Sequence, residues 1–554
     1  MIKNVSRAEA SVWRHRLASG FIGSAWLLVL SLSGSIVAIS EDSNASHAFY
    51  SRAVIQEVQL EIPNAERERL YAALPQRVYV RGTFRWNDTL VENVGIRFKG
   101  NSSSHPDQPF KRSYLIKFNE FEKGQRFLGM RRVALDNAIQ FGGLFSEILI
   151  TDILRALGNW APRANYSRLS VNGEYQGVYV NVERIDKSFV SRRYGKPRGA
   201  LFKGEGGPGV NLASAGSDPH IYRKTFEPKT EAAESAYDEL SRLLELVSAE
   251  MKPSDPETLR RLFFWDEFVR TIAVMLLSGA FDQLTGWNPH NFYLYQTVGE
   301  KRWHYIPSDL DVGFADQAFG RIPVIDGWNA AWPIAGGPPR PVLEKLLYHP
   351  TLLSEYRSEA DRILEEYFRP ELLHSKIDRL YSLIAEDLKS DPFPTRRATV
   401  PSDRNYDDVV RSMKAFIVKR YETARRQLDQ PGERPPTPTQ AKPTREQNSK
   451  QVPRPGIRPG APTDLRVTSR SGNLIRLEWN DNAVGEVAHV VQRTDGQDQE
   501  LFWNHIGRSM PNAIEAVDDR FDDQKTYAYR VYAVFPSPEG PVGTAVSNVA
   551  ISRP

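Results

Sequence analysis

The segment Phe281-Asp-Gln-Leu-Thr-Gly-Trp-Asn-Pro-His-Asn-Phe-Tyr-Leu-Tyr295 sets an acid ahead of a run of amides. After it, Trp303-His-Tyr-Ile-Pro-Ser-Asp-Leu-Asp-Val-Gly-Phe314 ends on the acidic pair Asp309 and Asp311. Phosphoryl transfer uses its parts in this order. One carboxylate takes the proton of the attacking hydroxyl, an amide helps to hold metal, and a later carboxylate carries Mg²⁺ to the nucleotide phosphates. Asp and Asn also make ordinary turns in most proteins. Two such clusters joined by a short hairpin favour the chemical reading.

A second group lies upstream. Val94-Gly-Ile-Arg-Phe-Lys-Gly-Asn-Ser-Ser-Ser104 leads from a strand into a Gly/Ser/Asn loop whose amides and hydroxyls suit phosphate oxygens, with Arg97 and Lys99 adding charge. Phe110-Lys-Arg-Ser-Tyr-Leu-Ile-Lys117-Phe then places a lysine on the next strand. A strand lysine behind a flexible loop holds nucleotide phosphates in kinases, oriented by a helical glutamate. Glu147, on the first helix after Lys117, is the candidate partner, and Lys111 is the alternative to Lys117.

These residues need a scaffold, and the chain is long enough to supply one. At 554 residues two or more domains are expected. From about Ala53 to Arg132 apolar residues alternate, as in Ile55–Ile62, Arg77–Phe84 and Tyr114–Phe118, which predicts strands. A helix is predicted from about Leu144 to Leu157. Asn172-Gly173 between alternating runs predicts a tight hairpin. Beyond Glu227 helical spacing dominates: Ala232–Met251, Pro256–Gly279, Pro341–Tyr348, Leu352–Phe368, Glu371–Leu388 and Tyr406–Leu428. A β-rich half followed by an α-rich half describes a bilobal α+β catalytic domain.

Residues 1–40 read as a signal peptide or an N-terminal membrane anchor. Lys3, Arg7, Arg14 and Arg16 precede an apolar run from about Phe21 to Ile39, and Ala38-Ile-Ser40 resembles a small-x-small cleavage site. Positive residues on the N-terminal side place the body outside the cytoplasm in either case. The absence of cysteine excludes zinc thiolates, cysteine-ligated iron–sulfur clusters and disulfides. A net charge of +4 with interspersed signs does not call for a nucleic-acid partner. Residues 430–460 shift to Pro, Thr, Gln, Arg and Lys and read as a semi-extended linker. Residues 461–554 have short alternating strands at regular intervals, which predicts a β-sandwich. Trp479 would be its core tryptophan, and Tyr527 would sit at a strand corner. The Pro-x-x-Leu opening, Leu-x-Trp and Tyr-x-Tyr-Arg-Val patterns make this segment resemble a fibronectin type III domain, an immunoglobulin-like sandwich.

Phe98-Lys-Gly-Asn-Ser-Ser, Lys111-Arg-Ser-Tyr-Leu-Ile-Lys-Phe, Gly158-Asn-Trp-Ala-Pro-Arg163, Val171-Asn-Gly-Glu-Tyr-Gln-Gly-Val-Tyr179, Glu183-Arg-Ile-Asp186 and Asp309-Leu-Asp-Val-Gly-Phe314 follow one another in that order. Together they make residues 54–428 resemble the spore-coat protein H (CotH) kinase family. The resemblance implies an atypical protein-kinase fold and transfer of phosphate from ATP, with Mg²⁺ or Mn²⁺, to serine or threonine of secreted or surface proteins. It implies that Gly100, Asn101, Ser102 and Ser103 cover the phosphates and that Lys117 contacts them, with Lys111 the runner-up. Glu183 would lie near the connection between lobes, with Lys203 just beyond. Asp282 would be the catalytic base, Asn288 or Asn291 the metal-holding amide, and Asp309 and Asp311 the metal carboxylates; spacing alone equally allows the inverse, with Asp282 on metal and Asp309 as base. Two other readings stand beside this one. One is a non-catalytic surface or matrix protein that uses the same scaffold, with its fibronectin type III module bound to a surface polymer or protein. The other is an adhesin with Ca²⁺ at Asp309 and Asp311.

Overall fold

The computed structural model describes residues 41–435 and 460–554, apart from 101, 105, 107–110, 139–142, 196–197, 250–255, 287–288, 317–322, 335–338, 394–396, 398, 401, 472–473, 485, 487, 496–503, 510–512, 519–520 and 536–541. The leader expected over residues 1–40, and the linker beyond residue 435, lie outside the described residues. Among the described residues no helix is long and apolar enough to cross a membrane.

Alternating apolar residues form the first layer. β1 (Gln56–Glu61), β2 (Val80–Trp86), β3 (Thr89–Lys99), β4 (Ser113–Lys117), β5 (Arg132–Asp136), β6 (Ala164–Val171) and β7 (Glu174–Val182) close into a barrel in the order β1-β2-β3-β4-β5-β7-β6. Closure comes from the parallel pairing of β1 with β6, from Gln56↔Ser167 to Leu60↔Val171. Val58, Leu60, Val80, Phe84, Ile96, Phe98 and Ile116 turn inward, as the two-residue period requires. The predicted Asn172-Gly173 hairpin is present, with both residues at positive φ (51° and 81°). Its asparagine also extends β1: Oδ1 accepts from Ile62 N at 2.7 Å and Nδ2 donates to Ile62 O at 2.8 Å.

Two helices escape the alternation. α1 (Glu41–Phe49) delivers Phe49 to the barrel core edge-on to Phe84, Trp86 and Phe127. α2 (Asn64–Ala72) buries only Leu70, so its sequence carries no apolar stripe to announce it. α3 (Ser146–Ala156) falls where expected, and α4 (Lys187–Tyr194) is capped by Asp186, which accepts from Ser188 N and Phe189 N.

β8 (Ala200–Gly204) and β9 (Phe226–Pro228) join β10 (Phe292–Gln296) and β11 (Trp303–Pro307) in a sheet ordered β11-β10-β8-β9. The helical part packs around it: α5 (Glu231–Glu234), α6 (Tyr237–Ser248), α7 (Glu257–Leu262), α8 (Trp265–Ser278), α9 (Val324–Gly327), α10 (Pro341–Tyr348), α11 (Pro350–Tyr367), α12 (Pro370–Lys389) and α13 (Tyr406–Asp429). The helix expected over Pro256–Gly279 is divided because Phe263 turns extended and Phe264 N donates to Trp303 O at 3.0 Å on β11.

β12 (Thr463–Ser471), β13 (Leu474–Asn480) and β16 (Glu515–Asp518) make one antiparallel sheet. β14 (Ala488–Asp495), β15 (Asn504–Ser509), β17 (Tyr527–Phe535), β18 (Val542–Gly543) and β19 (Ala550–Ser552) make another. The two share a core in which Ile475, Leu477 and Trp479 meet Val491, Tyr529 and Val531. The Tyr527 hydroxyl accepts from Asp522 N at 3.0 Å.

One buried ion pair ties the barrel to the helical part. Lys111 Nζ donates to Asp391 Oδ2 at 2.7 Å and to Val178 O at 2.6 Å, with both side chains almost wholly inaccessible. Asp391 also accepts from Val178 N at 3.0 Å. It comes so close to β7 that a Cβ on Gly177 would lie 2.2 Å from its carboxylate, and Gly177 has a φ of +99°. Only glycine meets both demands. Removing one partner of such a pair strands the other charge, at a cost of about 3–5 kcal/mol. Asp391→Ala is expected to lower the unfolding free energy from denaturant titration by that much, and the double change Lys111→Met with Asp391→Leu by clearly less. Equal losses would show that packing, not the stranded ammonium, sets the cost.

Candidate active site

The barrel end and the loops around β10–β11 enclose a cavity of ≈ 250 Å³ lined by Lys99, Gly100, Ser103, Ser113, Asp136, Asn137, Ala138, Glu147, Val180, Val182, Asp282, Asp309 and Asp311. Each charged group arrives on a different piece of backbone. Lys99 is the last residue of β3; alternation sends Phe98 into the barrel and Lys99 out of it. Its ammonium meets Asp136 Oδ1, at the end of β5, at 2.5 Å and stands 3.8 Å from Asp309 Oδ1. Burial works against the charge, but Asp136 and Asp309 outweigh it and hold the Lys99 pKa above its ordinary value.

Of the three acids read from sequence, Asp309 and Asp311 follow directly on the β10–β11 hairpin. Asn291 and Asp309 flank it, and both occupy the left-handed region, with φ of 59° and 56°. Asparagine tolerates that region well; aspartate less so, and such strain concentrates at working sites. Ser308 N donates to Asn291 O at 2.8 Å, and Gln283 Nε2 donates to Ser308 O at 2.9 Å, so the acid-bearing loops brace each other. Asn291 Nδ2 lies 3.4 Å from Asp282 Oδ2, and His290 Nε2 lies 3.5 Å from the same oxygen.

Glu147 stands in the first turn of α3 and is 4% exposed. Oε2 accepts from Leu310 N at 2.5 Å, which fixes α3 to the Asp309–Asp311 loop, while Oε1 is buried without a hydrogen-bond partner among the described residues. Burial, then Asp309 and Asp136, push its pKa up to about 8. Burial together with Asp309, Glu147, Asp136 and Asp282 drives Asp311 well above the carboxylate range. In Asp309 the partial loss of solvent is overcome by Lys99, Lys203 and His290, and its pKa lies below the usual value.

The carboxyl groups of Asp136, Asp282, Asp309 and Asp311 beside Lys99 form a set of hard oxygen donors, and Glu147 Oε1 is a buried oxygen with no hydrogen-bond partner among the described residues. This chemistry fits Mg²⁺ or Mn²⁺. Among the described residues no three of these cavity carboxyl groups place donor atoms within 4.8 Å of one another. Among the described residues the trio whose donor atoms all lie within 4.8 Å of one another is Asp481, Glu486 and His489, at the start of β14.

The structure redistributes several expected roles. Lys117 does not line the cavity: it pairs with Glu120, its ammonium 5.4 Å from the centre of the Tyr79 ring. Lys111 is the barrel clamp described above. Glu147 reaches the cavity but ion-pairs with no lysine; Asp136 has that part. Ser103 lines the cavity, yet its hydroxyl accepts from Ser113 N at 2.8 Å and serves the loop. Gly100, with φ of +84°, opens onto the cavity. Glu183 is held by Arg163, through Nε at 3.1 Å and Nη2 at 2.9 Å, and by Arg192. Asn101 and Asn288 lie outside the described residues, as does the Ser102 side chain. Asp136 was not singled out from sequence. Its signal was an acid at the end of an alternating strand, in Arg132-Val-Ala-Leu-Asp136, followed by Asn137.

Residues 96–424 match the family described as CotH kinase protein, and this span holds every one of these cavity residues. The chain belongs to that family. It is 21% identical over 311 residues to inner spore coat protein H of Bacillus subtilis (strain 168), covering 54% of this chain and 79% of that protein. It is 23% identical over 258 residues to invasin CotH7 of Rhizopus delemar, covering 44% of this chain and 41% of that protein. Among solved structures, a Fn3-like protein from Clostridium thermocellum is 28% identical over 17% of this chain and 94% of that one, with a TM-score of 0.15.

In the CotH chain, the folded state holds the Glu147 proton up to about pH 8, whereas the ordinary value is 4.5. The folded state therefore binds more protons in that window, and stability falls as pH rises through it. Denaturant titrations from pH 5 to 9 are expected to show a steeper loss in the wild type than in Glu147→Gln, where the contribution of Asp311 remains. Parallel profiles would mean that Glu147 ionises freely in the folded protein.

Proposed function

We propose that the chain is an exported, Mg²⁺-dependent atypical kinase that transfers the terminal phosphoryl group of ATP to serine or threonine hydroxyls of secreted or surface proteins. The convergence in one cavity of Lys99, Asp282, Asp309 and Asp311, from three separate places in the sequence, carries this reading. Family membership supports it, and the names of the two relatives, a spore coat protein and an invasin, support a site of action at the surface.

Each residue has a part that its position permits. Lys99, already facing the cavity beside Gly100, neutralises nucleotide phosphate oxygens. Asp309 and Asp311, with Asn291 near them, would hold the divalent cation. That ion, when bound, offsets the negative charge of the transferring phosphate. Asp282 accepts the proton of the acceptor hydroxyl as its oxygen bonds to the terminal phosphorus. The bond to the bridging oxygen breaks and ADP leaves. Asn291 and His290 beside Asp282 orient its carboxylate. In this reading the C-terminal sheets are a fibronectin type III module that fastens the enzyme to a surface polymer or protein.

Replacing a charged hydrogen-bonding partner of phosphate costs about 1.5–3 kcal/mol, roughly ten- to a hundredfold in affinity. Lys99→Met is expected to weaken Mg²⁺–ATP binding by that factor, and Lys117→Met to leave it nearly unchanged. Asp309→Ala should abolish transfer together with metal-dependent nucleotide binding, whereas Asp282→Asn should keep the binding and lose the transfer. Labelled-ATP transfer and calorimetric titration of residues 41–554 check all four. Wild-type transfer by both aspartate variants would remove this site from the chemistry.

A further inference from the structure

The Glu183-Arg-Ile-Asp186 run holds one side chain that neither the fold nor the proposed transfer uses. Glu183 is saturated by Arg163 and Arg192, Ile185 is buried with Phe189, Leu201, Tyr293 and Ile306, and Asp186 caps α4. Arg184 is half-buried and makes no hydrogen bond or ion pair among the described residues. An arginine removed from water without a partner is costly. Burial acts to lower its pKa, but Tyr293, Asp136, Asp186 and Tyr79 hold it above the ordinary value, so the group is charged.

Arg184 lines a small compartment of ≈ 60 Å³ that continues from the main cavity past Lys99, Asp136, Glu147 and Asp309. That is room for about four water-sized groups, too little for a nucleobase. Lys203 enters the same compartment from β8, where it is paired with Tyr293 of β10. Its partner Glu205 is 47% exposed and can exchange the ammonium for water at little cost. A planar guanidinium with five donors and a mobile ammonium, arriving from two elements beside Lys99, match a tetrahedral oxyanion.

We propose that Arg184 and Lys203 form a subsite for one phosphate group. The assignment rests on the kinase reading only for its source: the terminal phosphate of the nucleotide, or a phosphoryl group already carried by the acceptor. Inorganic tripolyphosphate probes the subsite without either assumption. With residues 41–554 and Mg²⁺, Arg184→Gln is expected to weaken tripolyphosphate binding roughly tenfold or more. Lys203→Gln should weaken it by less, and Arg184→Lys should restore part of the loss. An equal loss for ATP with AMP unaffected assigns the subsite to the nucleotide. Unchanged ATP affinity with tripolyphosphate binding lost assigns it to the acceptor side. Tripolyphosphate that does not bind the wild type, or binds both Gln variants as tightly as the wild type while circular dichroism shows them folded, overturns the proposal. Tripolyphosphate binding through Arg184 in a protein that transfers nothing from ATP would keep the subsite and sink the kinase reading instead.

Discussion

Asp136, Glu147, Asp282, Asp309 and Asp311 crowd their carboxylates around Lys99 in one cavity, and left to themselves they would separate. Each pKa unit by which such a group is displaced is about 1.4 kcal/mol of interaction that the fold must withstand. The displacements of Glu147 and Asp311 are large and share one cause, burial among like charges. A site of this kind persists only where the backbone bearing each acid is fixed by something other than the acid. Asp136 ends a strand paired on both sides within a closed barrel, and Glu147 belongs to a helix whose other inward residues are core. Asp309 sits in a left-handed turn braced through Ser308 to Asn291 and Gln283.

The same demand explains the buried cations deeper in the helical part. Arg397 is inaccessible; it donates to Phe314 O at 2.7 Å, just after the acidic loop, and to Asp403 at 2.8 Å. Arg420, equally buried, donates to Leu276 O at 2.9 Å and Trp328 O at 2.7 Å. These guanidinium groups satisfy carbonyls where elements end and no ladder remains to do so. They fix the ends of α8 and of the Asp309–Phe314 segment, the two pieces that flank Asp282 in sequence. The Lys111–Asp391 clamp does the equivalent work for the barrel.

The sequence was legible where one rule acted alone. Strand alternation revealed β1 to β4, the Asn172-Gly173 turn revealed a hairpin, and apolar spacing revealed α10 to α13 to within two residues at each end. It was misleading where tertiary context decided. The Pro256–Gly279 pattern is helical throughout, yet a hydrogen bond from Phe264 to β11 divides it. That Asp282, Asp309 and Asp311 share one cavity follows from the acid–amide–hairpin–acid order, because a short hairpin returns the later acids to the earlier one. The choice among the lysines was not readable, because it depends on register. Lys117 pairs with Gly95 and Lys99 with Ser113, so the two sit at opposite ends of the β3–β4 ladder. Only the Lys99 end meets the cavity, and no local pattern says which end that is.

Lys99 also shows why Asp136 belongs with the site. Its ammonium spans the cleft, close to Asp136 on the barrel and more distant from Asp309 on the hairpin loop. An ammonium has three donors, and a contact of 2.5 Å to Asp136 occupies one of them. The longer reach to Asp309, whose side chain is 53% exposed, is the weaker of the two bonds and the one a competing charge displaces first. Asp136 thus keeps Lys99 aimed into the cavity whether or not Asp309 is engaged elsewhere. A glutamate on a mobile helix could do this only when the helix is in place. Here the orienting acid is built into the barrel wall, and Glu147 on α3 is left to hold the Leu310 amide and, through it, the loop that bears Asp309 and Asp311.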